Sequence, residues 1–85
     1  MTTNTKERIE KLYADLDKYE AMEERRAIKF MLEMAELAKK YESGEISKDR
    51  ASDKVSYRAK MFVESIDRIY EMYREAENEL DKLEA

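Results

Sequence analysis

In the second half of the chain the apolar residues fall at Ala59, Phe62, Ile66, Ile69, Tyr73, Ala76, Leu80 and Leu83, in steps that alternate between three and four. That is a heptad pattern held for about three and a half repeats, and it predicts one long helix whose apolar seam another helix must cover. The first half carries the same spacing at Ile9, Leu12, Leu16 and Tyr19. The stripe falters at Glu23-Glu24-Arg25-Arg26 and resumes four residues out of phase at Ala27, Phe30, Met34, Leu37 and Tyr41. An insertion of four is a stutter, which locally unwinds a coiled coil without ending the helix. A break near Glu23 that gives three helices is the structural alternative.

The ends of the helices follow from local chemistry. Asn4 is placed to cap the first helix, with Glu7 three residues on to answer the cap's own N–H. Tyr41-Glu42-Ser43-Gly44-Glu45-Ile46-Ser47 is the one convincing turn: Gly44 can take the left-handed conformation that closes a helix. Ser47 can cap the next helix, with Asp49 in its first turn and Ile46 packing toward Ala51. The expected organisation is a single all-α domain, 1–85, with helix 1 over about 5–42, a turn at 43–46 and helix 2 over about 47–84. Helices of that length span about 55 Å each, and so short a connection forces an antiparallel hairpin. Folding at Gly44 sets Phe30 near Ala59, Ala27 near Phe62, Leu16 near Tyr73 and Ile9 near Leu80.

A hairpin alone leaves part of this apolar surface wet. Ile28, Leu32 and Ala35 form a second stripe at helical spacing, off the hairpin seam, and Val63 and Tyr70 widen the seam of helix 2. A helix that is apolar over much of its circumference has several neighbours, and chains of this size commonly complete their core by oligomerising. The simplest closed answer is a twofold dimer of hairpins, a four-helix bundle. In outline this resembles the Rop type of bundle, as an architecture only.

Composition narrows the function. The chain has no Pro, one Gly and no Cys, His or Trp among 85 residues, so little interrupts a helix, no disulfide forms and zinc has no ligands of its preferred kind. There is no Gly-rich phosphate loop and no serine beside a plausible base. An enzyme and a bound cofactor are therefore not expected. No run approaches 18 apolar residues and the amino terminus lacks an apolar signal core, so the expected setting is soluble and cytoplasmic, away from membranes. Gln is absent and only Asn4 and Asn78 carry a side-chain amide, a balance seen in hyperthermophile proteins, against which stand six Met.

The net charge of −4 is unevenly spread: residues 1–36 come to −2, 37–60 to +3 and 61–85 to −5. The bases Lys39, Lys40, Lys48, Arg50, Lys54 and Arg58 gather toward the turn end, with Tyr41 and Tyr57 available to stack on bases, which makes nucleic acid the alternative partner class. The Glu23–Arg26 cluster reads as interhelical and i,i+4 ion pairs that fix register, or as a polar docking patch. Met31 and Leu32, with Tyr57 and Met61, could form an adaptable apolar surface for a partner. Glu33-x-x-Glu36 and Glu64-x-x-Asp67 resemble the carboxylate signature of MazG-type nucleotide pyrophosphohydrolases. That resemblance implies an all-α enzyme holding Mg²⁺. Within one hairpin, however, Glu36 and Glu64 are offset along the axis by about 16–18 Å, too far for one ion to bridge.

The expectation is therefore a non-enzymatic adaptor or regulator of the kind encoded by viruses and plasmids. It would act by protein–protein contacts as a homodimer, through Ile28, Met31, Leu32, Ala35, Tyr57, Met61, Val63 and Tyr70.

Overall fold

The computed structural model describes residues 2–85; Met1, part of the expected 1–85 domain, lies outside the described residues. Two helices, α1 (Thr3–Glu42) and α2 (Lys48–Glu84), pack as an antiparallel hairpin, with no strand among the described residues. The stutter at Glu23–Arg26 leaves α1 unbroken, as an inserted four-residue step does when both flanking stripes still face the same partner. The three-helix alternative is thereby excluded.

α1 begins earlier than expected. Its cap is Thr2, whose Oγ1 accepts the Thr5 N–H at 3.2 Å, and Asn4 sits inside the first turn. Asparagine is the stronger cap by residue type, so neither that ranking nor the spacing to Glu7 places the start of α1. At the other end Ser43 closes α1 and Gly44 follows at φ 80°. The Gly44 N–H donates to the Tyr41 carbonyl and the Glu45 N–H to the Lys40 carbonyl, the paired bonds of a Schellman motif, which satisfy carbonyls that the helix end would otherwise leave open. Ser47 caps α2 as expected, its Oγ accepting the Arg50 N–H at 3.2 Å.

The hairpin is a rod of 64 × 15 × 13 Å with a radius of gyration of 19.2 Å, against about 12 Å for a compact chain of this length. So thin a shape has little interior. Among the described residues only Leu12, Leu37, Ile69, Ala76 and Leu80 are buried, and three of them, Leu12, Ala76 and Leu80, form one cluster near the open end. Ile9, Leu16, Tyr19 and Leu83 pack against it, in keeping with the expected pairing of Ile9 with Leu80. Toward the middle the Phe30 ring stacks on Phe62, with centroids 4.6 Å apart, both rings reaching along the seam on which Phe30 is expected near Ala59 and Ala27 near Phe62. Two flat rings gain more from offset stacking than a ring gains against a methyl group.

Polar contacts clamp the same open end. Arg8 Nε and Nη2 each donate to the Glu79 carboxylate at 2.7 Å, and the Tyr13 hydroxyl donates to Glu84 at 2.7 Å. The hydrogen bonds from Arg8, helped by its charge and opposed by partial desolvation, hold the Glu79 carboxyl below its ordinary value. The Glu84 carboxylate holds the Tyr13 phenol up, chiefly through the hydrogen bond it accepts. A carboxyl whose folded pKa is depressed stabilises the fold above its unfolded pKa and loses that contribution as pH falls through the folded value. We therefore expect an NMR titration to show Glu79 changing below the ordinary value of a glutamate. It should rise toward that value in Arg8→Gln, and the wild type should lose its stability advantage over that variant on acidification below the ordinary glutamate range.

Candidate functional site

Along α1 and α2 each residue turns about 100° from the last, so the Phe30–Phe62 contact fixes which side chains stand on which flank. On one flank a groove of about 360 Å³ opens between the helices. From α1 it takes Arg26, Lys29 and Glu33; from α2 it takes Tyr57, Arg58, Met61 and Arg68, with Phe30 and Phe62 at its floor and Ser65 beside them. Arg58 Nη1 donates to Glu33 Oε2 at 3.0 Å, so the groove's one acid is already engaged by one of its four bases. Arg26, Lys29 and Arg68 take no part in the ion pairs found among the described residues.

The other flank has the opposite character. Glu20, Glu24, Ala27 and Met31 follow one another there at helical spacing on α1, and Asp17, Glu20, Glu23 and Glu24 border a shallow depression over Ala21 and Ala27. The Tyr70 hydroxyl donates to Glu23 at 3.3 Å. Nearer the turn this flank becomes apolar, and it leaves large side chains in solvent: Met31 is 68% exposed and Val63 54%, with Leu32 (67%) and Ile28 (55%) on the adjoining back of α1. Ala35 is exposed in the same row.

The expected interface residues are thus all exposed, but they do not form one surface. Ile28, Met31, Leu32, Ala35, Val63 and Tyr70 share the acidic and apolar flank or the back of α1. Tyr57, 63% exposed, and Met61 stand across the rod in the basic groove. Met61 and Val63 are two residues apart, hence on nearly opposite sides of α2.

The turn-end bases are likewise divided. Arg58 lies in the groove. Arg50 and Lys54 precede it at steps of four, in one row down α2. Lys40 pairs with Glu36 at 3.4 Å. Lys39 and Lys40 occupy the last turn of α1, where positive charge complements the helix dipole. Lys48 opens α2.

Of the groove's bases, sequence reasoning gave Arg26 a place in a polar docking patch and missed Lys29, which meets the bases of α2 only across the groove. For the Glu23–Arg26 cluster as register-fixing ion pairs the structure gives no support: among the described residues no ion pair involves Glu23, Glu24, Arg25 or Arg26. Of the carboxylates that resemble the MazG signature, Glu33 is held by Arg58 and Glu36 by Lys40. Among the described residues no three acids come together in a set that could hold a metal ion. No helix among them is long and apolar enough to cross a membrane. No protein-family model matches the chain, and no curated protein or solved structure shows significant similarity to it.

Proposed function

We propose that this protein is a non-enzymatic interaction module that pairs two hairpins into a four-helix bundle and presents the remaining surface to other macromolecules as an adaptor or regulator. The observation that carries the reading is the apolar surface of Ile28, Met31, Leu32, Ala35 and Val63, exposed in the half of the rod where the hairpin buries least of its own. Contiguous apolar surface of this kind marks an interaction site in a folded protein. A second copy is the occupant that the dimensions favour. A face of 64 by 15 Å is on the order of 1,000 Å², above the roughly 800 Å² that each partner gives to a standard interface.

The test is the mass in solution by light scattering over a dilution series. A mass near twice the 10.2 kDa chain at micromolar concentration, falling toward the single chain on dilution, is the expected result. A well-folded monomer at every concentration removes the dimer from the proposal.

A further inference from the structure

The basic groove lies on the flank that the proposed dimer leaves open, and its chemistry points away from a second hairpin. Four cations and one carboxylate, itself held by Arg58, give this site a net charge of +3 within a chain of net −4. Three unpaired cations held that close repel one another, and an anion laid between them relieves the repulsion. Beyond the groove Lys54 and Arg50 continue the row of Arg58 toward the turn at steps of four, so from Arg68 to Arg50 the bases of α2 mark out a track of about 27 Å. Glu64, one turn before Arg68, is outside the groove's walls, and Glu36 is paired with Lys40. Tyr57, with most of its ring in solvent and Met61 one turn further on, offers a flat apolar surface at the edge of the track.

We propose that this groove binds single-stranded nucleic acid, with Arg26, Lys29, Arg58 and Arg68 on backbone phosphates and Tyr57 stacked on a base. A basic track combined with an aromatic platform is what binding of a single strand without sequence preference requires. The shape argues against a duplex. The cleft lies between two helices of a rod only 15 Å across, too narrow to admit a double helix, whose own groove must be about 12 Å wide to admit one α-helix. The site does not depend on the dimer, because its residues face the opposite flank.

The test is fluorescence anisotropy with a labelled oligothymidylate of about 20 nucleotides, longer than the ~4–16 nucleotides that such platforms cover. Binding at low salt should weaken with a log–log salt slope of about −2 to −3, as three or four phosphate contacts to a single strand imply. Lys29→Glu and Arg68→Glu should each weaken binding roughly tenfold and flatten that slope. Tyr57→Ala should weaken it by roughly fivefold to a hundredfold with the slope unchanged. Lys39→Glu, on the back of α1, should change little, and all four variants should keep the wild-type mass and helicity. The proposal is overturned by absence of binding at low salt, by tighter binding of a duplex of the same length, or by equal losses in Lys39→Glu and Lys29→Glu. A salt-dependent change of mass in Arg68→Glu would also overturn it, because the groove would then be filled by the acidic flank of another copy.

Discussion

Leu12→Ala is expected to lower the stability of the protein by about 3 kcal/mol, within the range for a leucine truncated in a packed core. Leu12 is only 2% exposed and is the best-covered side chain described, set against Ala76 and Leu80 with Ile9, Leu16, Tyr19 and Leu83 around them. Ala76 has no side chain to reach into the vacated space, and Leu80 is already committed to the same cluster, so the cavity collapses poorly. With five residues buried among those described, the loss removes a large share of the core. Chemical denaturation followed by circular dichroism, at one fixed protein concentration, should show a lower midpoint with an unchanged slope. A change below about 0.5 kcal/mol, the range of an ordinary surface substitution, would show that the open end does not hold the hairpin together.

Leu32→Glu is expected to leave the hairpin folded and to disrupt the proposed dimer. In an isolated hairpin Leu32 is two-thirds exposed, and a glutamate there costs no more than a surface change, within about 0.5 kcal/mol. Buried against a second copy, the leucine contributes about 1.5–3 kcal/mol of apolar burial, and the carboxylate adds a desolvation penalty. Together these weaken the dimer at least a hundredfold, since each tenfold corresponds to about 1.4 kcal/mol. Val63→Glu, on the flank adjoining the back of α1, should act alike, while Met61→Glu in the groove should leave the proposed dimer intact. The readout is the dissociation constant from the dilution series. If all three variants stay dimeric, the apolar flank is not where the copies meet.

The hairpin was legible in the sequence because a one-dimensional period suffices for it. The unbroken three-and-four spacing from Ala59 to Leu83, the left-handed Gly44 and the Ser47 cap each act through near neighbours in the chain. What stayed hidden depends on the rotation of one helix against the other. The stacking of Phe30 on Phe62 turns on side-chain conformations that spacing cannot express. The grouping of Arg26, Lys29, Arg58 and Arg68 needs to be told which side of α1 faces which side of α2. For the same reason Tyr57 and Met61 read as companions of Met31 and Leu32, though the rod stands between them. Asn4 outranks Thr2 as a cap by residue type, yet Thr2 is the cap, so residue type alone does not place the start of α1.

The position of the tightest contacts has a consequence for how quickly this chain finds its structure. The bidentate Arg8–Glu79 pair joins residues 71 apart in sequence, whereas Arg58 and Glu33 are only 25 apart. Zippering outward from Gly44 must therefore cross the thinly packed half before it reaches the contacts that reward it. Direct closure of the longer loop costs only about 1 kcal/mol more in chain entropy than closure of the shorter one. Zippering leaves the single chain with a late barrier, reached only when the open end comes together, whereas direct closure meets its barrier first. A second chain laid along the apolar flank would supply the missing packing early, at the turn-proximal half. Structure formation would then become a bimolecular process whose rate rises with concentration, and the nascent hairpin would be committed by its neighbour before its own ends had met.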